Sequence, residues 1–187
     1  MDVMVELHGL WDLPCAIRIV EALQPYAPFW IEDPIDSGDV PALTTLAQHT
    51  PTPLALSETL AGRRPFARLL ETGAAGIVIV DLSWVGGLTE GAKIAALADT
   101  YSRPLAPHDC TGPVVLTAST HLSVAAPNGF LQESVRAYYS SWYGDLVTAL
   151  PSIAGGQIAP SPGPGLGTAL HPDVRTRPDV TVRSTRA

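Results

Sequence analysis

The clearest indication of the fold is the segment GIVIVDLSWVGGLTEGAKIAALADTYSRPLAPH at residues 76–108. It opens with residues 76–82, a short apolar run rich in β-branched side chains, which predicts a buried strand. Residues 87–102 are mostly good helix formers with their larger apolar side chains on one face, which predicts a helix. A second short apolar run occupies residues 104–108. A strand, a helix and a strand with short connections predict parallel strands joined by a right-handed crossover.

The same unit repeats along the chain. Further strands are predicted at 3–8, 28–33, 53–58 and 130–134, and further helices at 13–24, 39–49, 63–72 and 112–125. The last polar residues of the six strands follow one another at intervals of 23 to 27 residues: Glu6, Glu32, Glu58, Asp81, His108 and Glu133. A (β/α)₈ barrel uses one such unit per roughly 25–30 residues. We therefore predict a TIM-type (β/α) barrel with about six of its eight units. A doubly wound open sheet is disfavoured, because no Gly-rich phosphate turn follows the first strand.

The domain organisation follows from this repeat. Residues 1–150 are predicted to form the partial barrel, which is the catalytic domain. Residues 151–187 are predicted to form an irregular Pro/Gly-rich tail that packs on it, because PSPGPGLG at 160–167 is typical of turns. Two barrel units are missing before Met1 on this count, so strands 3–8 and 130–134 are expected to be unpaired edges. Unpaired edges favour association, and a homo-oligomer is expected.

Composition excludes several classes of protein. The chain has 187 residues, of which 46% are hydrophobic, and a net charge of −7 from 11 basic and 18 acidic residues. An acidic balance argues against nucleic acid as a partner. The N-terminus lacks the basic residues of a signal peptide, and no apolar run is long enough to span a membrane. These features favour a cytoplasmic enzyme with reduced cysteines, Cys15 and Cys110.

Every predicted strand ends in an ionisable residue. In a parallel barrel the carboxyl ends of the strands form one rim, where active sites lie. Clustered carboxylates repel each other unless a cation offsets their charge. Three carboxylates on successive strands, Glu6, Glu32 and Glu58, suit Mg²⁺, which binds oxygen ligands and keeps several waters. The alternative for each glutamate is a solvated loop acid.

The remaining rim residues predict proton transfer. Asp81 and His108 end neighbouring strands, and a carboxylate beside an imidazole fixes its tautomer and supports its protonated form. The alternatives are a helix cap for Asp81 and a structural role for His108. Glu133 is predicted to contact an oxyanion or a substrate hydroxyl, and His8 is a candidate second proton donor. A surface role remains the alternative for both.

These residues lie in segments that resemble a known family. In order, the segments resemble the barrel domain of the mandelate racemase/muconate lactonizing subgroup of the enolase superfamily, and the resemblance covers nearly the whole chain. The segments are VELHGLW (5–11), WIEDP (30–34), LALSETLAG (54–62), VDLSWVGGLTEGAKIAALA (80–98), PLAPHDCTGPV (104–114), FLQES (130–134) and, in the tail, PGPGLGTAL (162–170).

The resemblance implies a role for each rim residue. Glu6, Glu32 and Glu58 match the three metal ligands. Asp81 and His108 match the dyad whose histidine exchanges a proton with the substrate α-carbon, and Glu133 matches the acid that contacts the enolate. His8, two residues after the first ligand and followed by glycine, is similar to the second histidine of galactonate-type acid-sugar dehydratases, which protonates the departing hydroxyl.

Two departures from the family pattern qualify this implication. The first ligand position carries Glu6 where the family usually has Asp, and the extra methylene displaces the carboxylate. The family's N-terminal capping domain and its first two barrel strands, one with a Lys-x-Lys motif, have no counterpart in this sequence. The implied substrate is a small carboxylate, a sugar acid, that is dehydrated by a Mg²⁺-dependent lyase. The alternatives are a racemase or epimerase of the same superfamily, or a truncated non-catalytic barrel fragment.

Overall fold

Five parallel strands form the central sheet of the computed structural model, which describes residues 1–185. The strands lie side by side in chain order, each hydrogen-bonded to the next. They are β1 (Met4–Glu6), β2 (Trp30–Glu32), β3 (Leu54–Leu56), β4 (Ile77–Val80) and β5 (Leu105–Pro107). This sequential parallel order with helical crossovers is that of a TIM-barrel-type domain.

Helices cover one face of this sheet. All five predicted helices are present, and residues 112–125, which are rich in β-branched side chains, are helical as predicted. The helices are α1 (Leu13–Leu23), α2 (Val40–Leu46), α3 (Arg63–Thr72), α4 (Leu82–Val85), α5 (Leu88–Thr100), α6 (Pro113–Ala125) and α7 (Arg136–Tyr139). Single turns of 3₁₀ helix occur at Gln24–Tyr26, Ala47–His49, Trp142–Asp145 and Val174–Thr176. Among residues 1–185, no helix combines the length and apolarity needed to cross a membrane.

The two faces of the sheet pack differently. Side chains that alternate along the strands face the helices and form two large apolar clusters with them, for example Leu56 and Val78. The residues between them form a smaller cluster on the opposite face, the interior of the barrel: Trp30, Ala55, Ile77, Ile79 and Ala106. The period-two alternation of strands therefore determines which residues can reach the rim from inside.

The prediction of a sixth strand at residues 130–134 is wrong. Its chain runs parallel to β5, but only one isolated bridge, between Leu105 and Gly129, is formed. An uninterrupted ladder would next require the backbone N–H of Pro107, which proline lacks. The pairing then slips by one residue, because Glu133, and not Gln132, donates its backbone N–H to the Pro107 carbonyl at 3.0 Å.

The tail is less irregular than predicted. Two further strands, β6 (Ser152–Ala154) and β7 (Gln157–Ala159), form an antiparallel hairpin. The two residues between them are Gly155 and Gly156, with φ of 59° and 76°. Positive φ at both central residues is what a two-residue type I′ hairpin requires, and glycine adopts it without steric cost.

Candidate active site

An Asp–His dyad at the rim is formed by residues that follow β4 and β5. The Nδ1 atom of His108 lies 2.7 Å from Asp81 Oδ2, and both side chains are buried. The other oxygen, Asp81 Oδ1, accepts hydrogen bonds from the backbone N–H and the hydroxyl of Ser83, both at 2.6 Å. Asp81 therefore caps α4 with Oδ1 and orients His108 with Oδ2. Its role as a helix cap and its pairing with His108 are compatible.

The electrostatics of the dyad stabilise its ionised form. Although burial opposes ionisation, hydrogen bonds from His108 and Ser83 hold the pKa of Asp81 below its usual range. Burial also disfavours a charged His108, yet the hydrogen bond to Asp81 and the charges of Glu133 and Glu58 raise its pKa to about 9. The imidazole is thus held with Nδ1–H on Asp81, which leaves Nε2 facing the rim.

The Nε2 atom of His108 faces two carboxylates. It lies 3.3 Å from Glu58 Oε2 and 3.5 Å from Glu133 Oε2. Glu133 also accepts a hydrogen bond from the backbone N–H of Asp109 at 3.1 Å. The one-residue slip beside Pro107 explains this arrangement, since an uninterrupted ladder would have placed Gln132 opposite His108. The amide of Gln132 is instead bonded to Leu116 and Thr120 of α6.

Glu6 and Glu32 occupy matching positions on adjacent strands. Their Cα atoms are partners in the β1–β2 register, so the two carboxylates lie next to each other. The indole N–H of Trp30 donates to Glu32 Oε2 at 2.9 Å. Burial and the charge of Glu6 raise the pKa of Glu32 to about 8, and burial together with the charge of Glu58 raises the pKa of Glu6.

His8 joins the first and third predicted ligands. Its Nδ1 atom lies 3.0 Å from Glu58 Oε1 and 3.8 Å from Glu6 Oε1. One potential ligand atom from each of Glu6, His8 and Glu58 lies within 4.8 Å of the others. Glu32 is outside this group of three and adjoins it through Glu6. All seven predicted site residues thus lie in one connected cluster at the rim.

The backbone at the first three strand ends is unusual. His8, Asp33 and Ser57 have positive φ, of 55°, 32° and 100°, although none of them is glycine. Such conformations cost about 1–3 kcal/mol each and concentrate at functional sites. Here each lies within two residues of a predicted metal ligand, so the strained turns determine where the carboxylates point.

The donor chemistry of the cluster fits a divalent cation. Burial raises the pKa of Glu58 as it does those of Glu6 and Glu32. Neighbouring carboxylates raise all three further, although His108 and His8 oppose the rise at Glu58. A hard, oxygen-rich donor set is the kind that Mg²⁺ prefers. The residues that would hold it are Glu6, Glu32 and Glu58, with His8 at their edge.

A cavity of about 320 Å³ opens beside the cluster. Its polar wall is formed by rim residues and its apolar wall by the barrel interior. The lining residues are Met4, Glu6, Trp30, Glu32, Ile79, Ala106, Pro107, His108, Leu131, Gln132 and Glu133. A mixed wall with convergent titratable groups is typical of a small-molecule site.

Two buried acids adjoin the cluster and were not among the predicted site residues. Asp33 is 3% exposed and follows Glu32 directly, and Asp109 is fully buried and follows His108 directly. Burial raises the pKa of Asp109 to about 7, and Tyr143 donates a hydrogen bond to its Oδ1 at 3.3 Å. In the sequence, each of these acids is marked only by its position next to a predicted site residue. The strand repeat selects one polar residue per strand, and it selected Glu32 and His108 instead.

Comparison with known proteins assigns the chain to one protein family. The profile described as "Enolase C-terminal domain-like" matches residues 1–174. A D-galactonate dehydratase of Ralstonia pickettii is 36% identical over 171 residues, which cover 89% of this chain and 45% of the dehydratase. The chain therefore spans about half the length of the curated relatives that it matches.

Solved structures agree with this comparison. An enolase of the mandelate racemase subgroup from Agrobacterium tumefaciens is 56% identical with a TM-score of 0.89, over 92% of this chain and 47% of that one. An enolase protein from Sargasso Sea environmental sequencing is 48% identical with a TM-score of 0.93, over 100% and 50%. L-talarate dehydratase from Polaromonas sp. JS666, solved with Mg and L-glucarate, is 30% identical with a TM-score of 0.82, over 94% and 46%.

Proposed function

This chain belongs to the enolase C-terminal domain-like family, and we propose that it carries the metal site and the base of a Mg²⁺-dependent sugar-acid dehydratase. The main support for this proposal is the connected cluster of titratable side chains at the rim. A buried Asp81–His108 dyad presents Nε2 within 3.5 Å of carboxylates that suit a divalent cation. The dehydratase relatives act on, or are solved with, sugar acids, which favours that substrate class.

The first step is removal of the α-proton of the acid. The C–H bond breaks, Nε2 of His108 takes the proton, and the electron pair moves into an enediolate of the substrate carboxylate. This proton is very weakly acidic, so the developing charge must be stabilised. When bound, Mg²⁺ supplies positive charge near the substrate carboxylate. A protonated Glu133, beside Nε2, would donate a hydrogen bond to the same oxygens.

The second step eliminates the β-hydroxyl. The enediolate electrons form the Cα–Cβ double bond, the Cβ–O bond breaks, and His8 delivers the proton that converts the leaving group to water. The enol product then gains a proton at Cβ and loses the proton of its enol hydroxyl, which gives a 2-keto acid. His8 suits this role because it is the most exposed of the rim residues, with 63% of its side chain accessible.

His108 must be neutral to act as a base. Burial lowers the pKa of His108, but the hydrogen bond to Asp81 and then the charges of Glu133 and Glu58 raise it to about 9. Positive charge held by Glu58 would oppose that effect and bring the pKa of His108 nearer the working pH, where a general base is most effective. The same carboxylate cluster thereby links metal binding to the readiness of the base.

Incubation with a panel of sugar acids and Mg²⁺ tests the proposal. We expect a 2-keto product from the wild-type protein and none from His108→Asn. His8→Gln should lose elimination while it still exchanges the α-proton with solvent deuterium. His49→Asn, at a histidine that contacts Glu21 at 3.3 Å and no rim residue, is the matched control. Deuterium exchange without elimination in the wild type would favour a racemase or epimerase. Neither exchange nor product with any acid would contradict the proposal.

A further inference from the structure

Asp33 lies at the end of β2, behind the rim, and its carboxylate reaches across to the end of β3. Its Oδ1 atom accepts hydrogen bonds from the Ser37 hydroxyl at 2.6 Å and from the Ser57 backbone N–H at 2.8 Å. Its Oδ2 atom lies 3.3 Å from the Glu58 backbone N–H, which donates to it. Asp33, Ser37 and Ser57 are all buried, at 3%, 3% and 0% exposure.

These bonds fix a turn that the strand would not otherwise make. Ala55 faces the barrel interior and Leu56 faces the helices, so an uninterrupted strand would direct Glu58 to the helix side. The φ of 100° at Ser57 breaks that alternation. Glu58 consequently points to the rim, where its carboxylate contacts His8 and His108 at 3.0 and 3.3 Å.

A conformation of this kind persists only where its surroundings hold it. The two consecutive N–H groups after Leu56 have left the β ladder, and buried N–H groups need partners. The Asp33 carboxylate supplies an acceptor to each of them. The Ser57 hydroxyl adds a second anchor, because it donates to the Ile79 carbonyl at 3.0 Å.

We propose that Asp33 is a positioning residue that holds the Ser57 turn and thereby aims Glu58 into the metal site. The inference rests on the proposed role of Glu58 as a ligand. In the described residues Asp33 does not line the cavity beside His108; it lines a second cavity, which it shares with His8 and Glu58, and it acts through the backbone of Glu58. Outer residues that orient ligands in this way typically contribute 10–100-fold to metal affinity.

The variant Asp33→Asn tests the proposal, because its amide keeps one acceptor and places an NH₂ group against one of the two N–H donors. We expect about 10–100-fold weaker Mg²⁺ binding by calorimetry. We expect a smaller loss for Ca²⁺, which tolerates irregular coordination where Mg²⁺ requires a near-octahedral site. Asp36→Asn is the matched control, since Asp36 is an exposed acid of the same loop that bonds Gly38. It should bind both ions like the wild type.

Other outcomes overturn the proposal. Equal losses for Mg²⁺ and Ca²⁺ would indicate that only the charge of Asp33 matters. Unchanged Mg²⁺ affinity in a destabilised Asp33→Asn protein would indicate a purely structural role.

A second measurement does not depend on metal. Amide hydrogen exchange at Ser57 and Glu58 should accelerate at least tenfold in Asp33→Asn, and not in Asp36→Asn. If the wild type binds no Mg²⁺, the proposed function fails, while the exchange result still decides whether Asp33 holds the turn. If Asp33→Asn does not fold, Ser37→Ala, which removes one hydrogen bond to Asp33, should show smaller changes of the same kind. Exchange that is unaltered in a folded variant would refute the positioning role.

Discussion

Glu32 and His108 illustrate how single residues link the site to stability. Glu32 has a folded-state pKa of about 8, above its ordinary value of 4.5, so its contribution to stability is complete below pH 4.5 and is lost as pH rises through 8. The pKa of His108 is raised from 6.5 to about 9, so its contribution is complete below pH 6.5 and is lost as pH rises through 9. The ionisation of Glu32 and the deprotonation of His108 therefore both lower the free energy of unfolding as pH rises from 6 to 9.

We predict that the protein in EDTA melts at a lower temperature at pH 9 than at pH 6, by roughly 3 to 8 °C. Thermal unfolding followed by circular dichroism measures this difference. Saturating Mg²⁺ should reduce it, because bound cation stabilises the ionised carboxylates. The variant Glu32→Gln should also reduce it, since it removes one of the titrating groups. A melting temperature in EDTA that rises with pH would show that the carboxylate cluster is not strained as described.

Trp30 provides a second prediction at this scale. Its indole N–H holds Glu32 Oε2, and its ring is 6% exposed within the barrel interior. The variant Trp30→Phe keeps an aromatic ring and deletes the donor, so we expect Mg²⁺ affinity to fall by about tenfold. Trp84→Phe, at a tryptophan that is 53% exposed, is the control and should bind normally. Equal affinity in the two variants would show that this hydrogen bond does not orient Glu32.

Sequence reasoning at the residue scale found one polar residue per strand and missed those behind them. Asp33 stands in the quoted WIEDP segment, beside a predicted ligand. Its function depends on the left-handed turn at Ser57, and nothing in the residue type of Ser57 indicates a φ of 100°. The rim residues could be predicted to cluster because parallel topology brings the ends of the strands together. Strand period alone does not explain Glu58 and Glu133, which reach the rim through the turn at Ser57 and the slip beside Pro107. The hydrogen bonds that hold the rim residues in place depend on the three-dimensional arrangement of the chain, which residue spacing along the sequence does not predict.

The position of Glu133 depends on the segment 129–134. The sequence predicted a strand at 130–134 from its place in the repeat. The outcome depends on Pro107 in the neighbouring strand, because pairing fails where that strand lacks an N–H. The hairpin of β6 and β7 was missed for a local reason, since Gly155 and Gly156 between short alternating runs are a hairpin signal. The first five strands and most of the longer helices were predictable from their own periodicity, while the helix at 112–125 was predicted from its place in the repeat. The short helices α4 and α7 were not predicted.

Gly129 gives a prediction for this element. A Cβ added at Gly129 would lie 2.2 Å from the carbonyl oxygen of Ser123 in α6, a backbone atom that cannot move aside without shifting the helix. We expect Gly129→Ala to lower the free energy of unfolding by more than about 2 kcal/mol in urea denaturation. Gly144→Ala, where the added atom meets nothing within 4 Å, should cost far less. Similar losses in both variants would refute the close approach of the segment to α6.

Across the whole molecule, the sheet has a free edge at β1. In the described residues β1 pairs only with β2, and Val3 and Met4 are 58% and 41% exposed. An exposed parallel edge with apolar side chains favours association. We predict concentration-dependent self-association in sedimentation velocity, weakened by Val3→Lys. A clean monomer at all concentrations, together with a cooperative melt, would contradict this prediction.

We propose that the carboxylates at the rim form one Mg²⁺ site that serves the Asp81–His108 base. Titration calorimetry with Mg²⁺ should be carried out on the wild type, on Glu58→Gln and on Glu71→Gln, whose side chain lies on the exposed surface of α3. We expect one bound ion in the wild type and in Glu71→Gln, with affinity at least about tenfold weaker in Glu58→Gln. Equal Mg²⁺ affinity in all three proteins would refute the site.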